Sequence, residues 1–383
     1  MLTPEALTVL KARYLQGGES PTDMFWRVAR TVAAAEEWYG GDVAASAERY
    51  FEFMSSLTFL PNSPALMNAG RGSGQLAACF VLPVEDSLEG IFESLKLTAL
   101  IHQSGGGTGF SFSRLRPQGD KMALTGGEAS GPLSFIGIFD KATEIVRQGA
   151  ARRGANMAVL RVDHPDIRQF ITAKQHQSVL NNFNLSVGIT DRFMAAVRDG
   201  GRYQLINPRN GAATEELPAQ DIFRLLTEMA WVNGEPGLFF LDTVNRFNPT
   251  PRLGDFEAPN PCSEQPLLPY ESCVLGSINL NRVLESKENR WAIDYDRLGK
   301  AVDTAVRFLD SVLDVNVYPV QAVKEASLKT RKIGLGIMGL ADVFVRMGIP
   351  YGAEPAVRLT GRIMNFVTNR ARQQSARLAA ERG

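Results

Sequence analysis

Cysteine and histidine are scarce, with three of each in 383 residues. Three cysteines do not make a disulfide scaffold, so each is either inert packing or chemistry. His102, His164 and His176 share no ligand spacing with the cysteines, and no Cys-x-x-Cys is present, which argues against a zinc site. An excess of charge of either sign is missing too: 41 Lys and Arg face 41 Asp and Glu. That balance leaves no electrostatic footprint for duplex nucleic acid or an anionic membrane. No run approaches the roughly 18 apolar residues of a membrane span. The start, Met1-Leu2-Thr3-Pro4-Glu5, shows no basic segment followed by an apolar one. No secretory signal is therefore visible, and a cytoplasmic location is expected. There is no internal repeat, no low-complexity block and no Gly-x-Ser-x-Gly elbow of a serine hydrolase.

What the chain does have is core material. Hydrophobic residues make up 44%, with 21 Phe and 4 Trp, and charged residues only 21%, which excludes a disordered chain. At about 150 residues per domain the length suits two or three domains, or one large α/β barrel. The first 60 residues read as helical. Phe25, Val28, Ala29 and Val32 mark one apolar face, and Tyr50, Phe51, Met54 and Leu57 another. Pro61 and Pro64 end that region and set a boundary there.

Beyond it the pattern alternates. A strand is expected from Cys79. Asp86 and Glu89 look like a capping box that opens a helix with Leu88, Ile91, Phe92, Leu95 and Leu100 inward. Strands are expected at 110–115, 157–162, 184–189, 203–206 and 237–241, with helices between them. Alternating β and α units with short connections argue for a mainly parallel sheet or barrel. Residues 245–270 hold six prolines and little periodicity, the mark of a functional or disordered loop. Helices resume near 296–313 and 336–347, and a basic helix runs from Ala356.

Three constellations could carry chemistry. Ser104-Gly105-Gly106-Gly107-Thr108-Gly109 lies between a helix and a strand and reads either as a plain turn or as backbone brought close to a ligand. No Gly-Lys-Ser/Thr follows, so it is not a Walker loop. Asn260-Pro261-Cys262-Ser263-Glu264 sits in the proline-rich loop. In an extended segment alternate side chains share a face, which would gather an amide, a thiol and a carboxylate. Such a set suits a sulfur that attacks, a base and an orienting group; the rival reading is a buried, inert Cys262. Arg152-Arg153-Gly154-Ala155-Asn156 reads equally as a phosphate clamp or as a cationic helix end with a glycine cap.

At this point the residues resemble ribonucleotide reductase large chains of the adenosylcobalamin-dependent kind. The similar segments are LTFLPNSPALMNAG (57–70), AACFVLPVEDSLEGIF (77–92), SGGGTGFSFSRLRPQGD (104–120), RRGANM (152–157), RVDHPDI (161–167), NPCSEQPLLPYESC (260–273) and GSINL (276–280). The resemblance implies an α/β fold: an N-terminal helical region at 1–60, then the first half of a ten-stranded α/β barrel at 61–383. A finger loop at about 245–275 would thread its centre. It implies that Cys262 becomes a thiyl radical that removes the 3′ hydrogen of the substrate ribose. Glu264 would accept the 3′-hydroxyl proton, and Asn260 would hold the sugar hydroxyls. Cys79 and Cys273 would deliver two electrons and finish as a disulfide. Ser63, Ala78, Gly106 and Gly107 resemble substrate-contacting positions. Arg114, Asp120, Arg152, Arg153 and Asn156 fall in two loops that resemble a deoxynucleotide effector site.

The implied cofactor is adenosylcobalamin and the implied substrate a ribonucleotide, with the diphosphate preferred over the triphosphate. The implied partners are a thioredoxin-like reductant, a second copy of the chain in a homodimer, and a complementing C-terminal half. Position 274 is Val where the family usually shows Asn, and position 78 is Ala where Ser is common. A second half-barrel is expected after residue 347, yet little sequence remains, so the chain looks like the front half of an enzyme. The alternatives are an aerobic enzyme fed by a separate iron subunit, and a catalytically silent nucleotide-binding fragment.

Overall fold

The computed structural model describes residues 2–72, 74–121, 126–146, 154–175, 179–287 and 290–383. The chain forms two compact units. One comprises Met1–Ala78, Cys273–Tyr318 and Arg331–Gly383, the other Cys79–Ser272 and Pro319–Thr330.

The first unit begins with helices α1 (Pro4–Arg13), α2 (Pro21–Ala33) and α3 (Val43–Ser55). Ser20 and Asp23 cap α2 reciprocally, and Pro21 occupies its first turn, where no backbone donor is needed. The expected face of α2 is buried through Phe25, Val28, Ala29 and Val32. On α3, Tyr50 and Met54 are buried. Phe51 instead stacks on Trp26 with ring centroids 4.1 Å apart. Strand β1 (Phe59–Pro61) and helix α4 (Ser63–Asn68) follow.

The second unit opens with β2 (Cys79–Val81), α5 (Leu88–Gln103), β3 (Gly107–Ser111), α6 (Pro132–Val146), β4 (Asn156–Arg161), α7 (Ile167–Thr172) and β5 (Phe183–Ile189). It continues with α8 (Asp191–Asp199), β6 (Arg202–Ile206), β7 (Ala213–Pro218), α9 (Ala219–Asn233), β8 (Gly237–Phe240) and α10 (Leu241–Arg246). Strands β2, β3, β4, β5 and β8 pair side by side, all parallel. The apolar runs of β2, β3, β4 and β5 are buried on both faces, as a parallel sheet flanked by helices requires, whereas the edge strand β8 leaves Leu238 and Phe240 exposed. Phe110, Phe112, Phe139 and Phe183 form one aromatic cluster against this sheet, with centroids 5.1 to 6.4 Å apart.

Several expectations are corrected here. Ser87, not Asp86, caps α5, by accepting from the Gly90 amide; Asp86 is engaged by Arg116. The buried face of α5 is Ile91, Ser94, Leu97, Thr98, Ile101 and His102, while Leu88, Phe92 and Leu100 face solvent. Strand β3 starts at Gly107, inside the glycine run rather than after it. The strand expected at 203–206 leaves the parallel order and forms an antiparallel hairpin with β7.

The proline-rich stretch ends in a small hairpin, β9 (Ala258–Pro259) with β10 (Pro266–Leu267). The chain then returns to the first unit with β11 (Ser272–Asn279), the β12 (Leu284–Lys287) and β13 (Arg290–Ile293) ribbon, and α11 (Tyr295–Val315). Helix α12 (Gln321–Thr330) belongs to the second unit. Strand β14 (Ile333–Met338), α13 (Leu340–Met347) and α14 (Glu354–Arg382) complete the first unit. Strand β11 pairs antiparallel with β1 and parallel with β14. Residues 336–338, expected to start a helix, are thus strand, and the helix begins only after Gly339. The basic helix expected from Ala356 is α14.

An ionic cluster ties α14 and α11 to the N-terminal helices. The fully buried Glu36 receives Arg307 at 2.5 Å and Arg382 at 2.8 Å. Arg382 also reaches Asp310, and Arg331 bridges Asp310 and Asp314, each at 2.8 Å. Burial pushes the Glu36 carboxyl up, but the bonds and charges of Arg307 and Arg382 outweigh it and hold the group below the ordinary carboxylate range.

Candidate active site

The glycine run is explained residue by residue. Helix α5 ends in a Schellman turn: the Gly105 amide bonds the His102 carbonyl and the Gly106 amide the Ile101 carbonyl, both at 3.0 Å. Gly105 has φ +88°, a left-handed conformation that favours glycine. A Cβ on Gly106 would lie 2.6 Å from both Ile101 and Phe80. Gly107 and Gly109 then sit in β3 on the face over which the hairpin passes. A Cβ on Gly107 would lie 2.8 Å from Pro261 Cγ, and one on Gly109 only 1.9 Å from the Pro259 carbonyl oxygen. Bare backbone is what lets the β9–β10 hairpin lie against the sheet.

The hairpin tip is a tight turn, which corrects the extended reading of residues 260–264. The Ser263 amide bonds the Asn260 carbonyl at 3.0 Å, and Ser263 has φ +69°. The Asn260 amide bonds Gln265 O at 3.1 Å, and the Gln265 amide returns to Asn260 Oδ1 at 3.0 Å. Asn184 holds the Pro261 carbonyl from β5 at 2.8 Å. Asn260 therefore points inward, fully buried, and its Nδ2 donates to Cys79 Sγ at 3.4 Å. Cys262 and Glu264 are exposed at the tip. The turn therefore parts the expected set: the amide faces inward onto a second sulfur, that of Cys79, while the thiol and the carboxylate are exposed at the tip.

Cys79 is buried at the start of β2. Ser63, Ala78 and Cys273 lie in the first unit. There Ser63 Oγ is 2.8 Å from Tyr14 Oη. The Ala78 amide bonds the carbonyl of the buried Cys273 at 3.2 Å.

The expected effector residues are spread out. Arg114 forks onto Glu257 at 2.6 to 3.1 Å and reaches Glu85 at 3.2 Å. Asp120 is bound by Arg209 at 2.7 Å, which holds its carboxyl below the usual range. Asn156 is fully buried inside the sheet. Arg152 and Arg153 lie outside the described residues.

Sequence reasoning missed the polar cluster behind the glycine strand. Between Gly107 and Gly109, Thr108 points the other way. Its hydroxyl lies 3.1 Å from His102 Nε2 and donates to Asn156 Oδ1 at 2.7 Å. Asn156 Nδ2 donates to Thr143 Oγ1 at 2.9 Å and to the Asn182 carbonyl at 3.1 Å. Since the Thr108 proton is committed to Asn156, Thr108 accepts from His102, which is the Nε2–H tautomer. Burial pushes the His102 pKa down to about 4, so the ring is neutral. The one available signal was strand alternation, which puts Thr108 opposite its glycine neighbours.

Known proteins agree with this architecture. Residues 1–74 match the ribonucleotide reductase all-alpha domain and residues 77–383 the ribonucleotide reductase barrel domain. The chain is 52% identical over its whole length to a vitamin B12-dependent ribonucleoside-diphosphate reductase of Mycobacterium tuberculosis, of which it covers 56%. A protein of the same description from Thermoplasma acidophilum is 52% identical over 88% of the chain, which covers 43% of it. The ribonucleoside-diphosphate reductase large subunit of Danio rerio is 31% identical over 95% of the chain, covering 49% of that protein. The chain thus spans about half the length of the curated relatives it matches. With a helical N-terminal region followed by an α/β half-barrel sheet, and matches across nearly its whole length, the chain belongs to the ribonucleotide reductase large-chain family.

Proposed function

We propose that this chain carries the radical cysteine of an adenosylcobalamin-dependent reductase that converts ribonucleoside diphosphates to 2′-deoxyribonucleotides. The observation that carries the reading is the Asn260–Cys79 contact, which seats the Asn-Pro-Cys-Ser-Glu turn on a buried sulfur. The B12 dependence follows relatives at 52% identity. When bound, adenosylcobalamin supplies the hydrogen-atom acceptor that makes Cys262 a thiyl radical. Cys262 takes the 3′ hydrogen of the ribose, Glu264 takes the 3′-hydroxyl proton, and Asn260 holds the sugar hydroxyls. The 2′-hydroxyl leaves as water with a proton from the Cys79–Cys273 pair. The pair then gives its second proton to the 2′ carbon and its two electrons to the sugar, a disulfide forms, Glu264 returns its proton to the 3′ oxygen, and Cys262 returns the hydrogen to the 3′ carbon. The Ala78 bond to the Cys273 carbonyl supports the pairing, since Ala78 directly precedes Cys79.

Ser63, Ala78, Gly106 and Gly107 would meet the substrate, and a thioredoxin-like protein would reload the pair. Arg114, Asp120 and the segment 152–156 would take a deoxynucleotide effector, and the cytoplasm is where we place the enzyme. The homodimer reading gains support from the outward apolar stripe of α5 and α6. Leu88, Phe92, Leu100, Ile138 and Ile145 are between 40% and 66% exposed. A stripe of that kind suits a second copy of the same chain.

The test is nucleotide reduction by the assembled enzyme with Cys262→Ser. Loss of turnover is expected, while a normal rate would overturn the radical role. Mass mapping after one turnover without reductant should find a Cys79–Cys273 peptide. Normal activity without adenosylcobalamin would transfer the case to a radical handed on from an iron subunit. Phe92→Glu should shift the scattering mass from dimer to monomer.

A further inference from the structure

Ser63 opens α4, yet its hydroxyl has no capping duty. Asn62 caps that helix, its Oδ1 accepting from the Ala65 amide at 3.0 Å, and Pro64 has no amide to offer. Ser63 Oγ instead meets Tyr14 Oη, 49 positions away in sequence and 2.8 Å away in space. Tyr14 closes α1, and the same short helix that carries Ser63 also holds its main chain. Arg71 joins the Tyr14 carbonyl, at 3.2 Å, to the Met67 carbonyl of α4, at 3.1 Å. Arg27 holds the Leu66 and Ala69 carbonyls at 3.1 and 2.5 Å. Glu19 answers both guanidiniums, 2.7 Å from Arg27 and 2.5 Å from Arg71. Both ends of α4 are thus referred to the α1–α2 region: the C-terminal carbonyls through two arginines, the first residue through one phenol.

We propose that Tyr14 is a positioning residue for substrate binding that acts through the Ser63 hydroxyl. A serine hydroxyl has one proton to give and two lone pairs to accept with. A phenol is a stronger acid than an alcohol, so Tyr14 donates and Ser63 accepts. The Ser63 proton is then free for an acceptor oxygen of the ribonucleotide. The bond received from Tyr14 also strengthens the bond given, because chained hydrogen bonds polarise one another. Without the phenol the Ser63 rotor loses its orientation. The inference rests on the reading of Ser63 as a substrate contact and deepens it by naming the group that aims the hydroxyl.

The test measures steady-state reduction of a ribonucleoside diphosphate by the assembled, cofactor-loaded enzyme with Tyr14→Phe, Ser63→Ala and both together. Tyr14→Phe removes one oxygen and keeps the ring. We expect it to raise KM about two- to tenfold, the scale of one neutral hydrogen bond, with little change in kcat, because the bond serves ground state and transition state alike. Ser63→Ala should raise KM at least as much, and Tyr14→Phe should add nothing in the Ser63→Ala background. A wild-type KM in Tyr14→Phe beside a raised KM in Ser63→Ala overturns the inference and leaves the reading of Ser63 standing. An equal rise from Tyr14→Phe in both backgrounds also overturns it, since the phenol then acts elsewhere. So does a fall in kcat at constant KM, the mark of a merely structural phenol whose loss lowers the active fraction. A wild-type KM in Ser63→Ala defeats the reading of Ser63 itself and takes the inference with it.

Discussion

The cluster around Glu36 is made of ions, whereas the one around Asn156 is made of neutral amides, hydroxyls and one imidazole. The first joins helices from both ends of the chain within the first unit, through two guanidiniums on one carboxylate. The second lies directly behind the strand on which the hairpin rests. Ion pairs clamp strongly but tolerate angular play, and they depend on pH. A neutral network is weaker per bond but directional, since each donor has one acceptor. Scaffold and site thus rest on different materials, and the two can be perturbed separately.

The largest effects should come from breaking the ionic cluster on one side or hollowing the aromatic one. Glu36→Ala removes the buried carboxylate that Arg307 and Arg382 share, leaving them Glu381 and Asp310 as counter-charges, and should cost about 3 kcal/mol in urea unfolding. Removing apolar mass from the second unit should be comparable: Phe110→Ala opens a cavity in the aromatic cluster and should cost about 3–5 kcal/mol. Asn156→Ala takes away the acceptor of the buried Thr108 hydroxyl and should cost about 1–3 kcal/mol, read by the same titration.

The pH dependence separates the clusters further. The His102 pKa is lowered from 6.5 to about 4, so between those values the unfolded chain binds a proton that the folded chain does not. Its contribution is present in full above pH 6.5 and falls as the pH drops toward 4, by about 1.4 kcal/mol per unit. Glu36 has its pKa lowered from 4.5, so its contribution holds above that value and fades only below it. Urea midpoints between pH 7 and 4.5 should therefore decline in wild type and decline less steeply in His102→Phe, where the buried His164, its pKa also lowered by burial, carries the remaining slope. An equal slope in both would break the contrast. The smallest effect is expected at Arg202, which is exposed and paired with exposed Glu216; Arg202→Ala should cost no more than about 1 kcal/mol.

The sequence showed most clearly the features that periodicity or punctuation encode. The α2 face, the parallel strands and the long helices α11 and α14 follow from spacing alone. The ribbon strand β7 did not, because Ala213–Glu216 are all exposed and carry no alternation. Ile333-Gly-Leu-Gly-Ile-Met has a strand's length, yet its glycines and adjoining helix hid the start of α13. The α5 stripe misled for a different reason. Leu88, Phe92 and Leu100 do form an apolar face, but apolar spacing does not say which partner covers it. At 260–264 the extended reading failed because the turn depends on a φ of +69° at Ser263, which the run Asn-Pro-Cys-Ser-Glu does not announce. The His102–Thr108–Asn156 link joins residues from a helix end and two strands, so no local window could contain it.

The glycines of β3 give the hairpin a hard floor. Where the Pro259 carbonyl comes within 1.9 Å of a notional methyl at position 109, there is no side chain to repack and no rotamer to yield. The height of the Cys262 sulfur is accordingly gauged against main chain, like a dial indicator resting on a machined flat. One added methyl at 109 would act as a shim under the whole loop and displace the thiol together with Asn260, while changing no functional group in the chain.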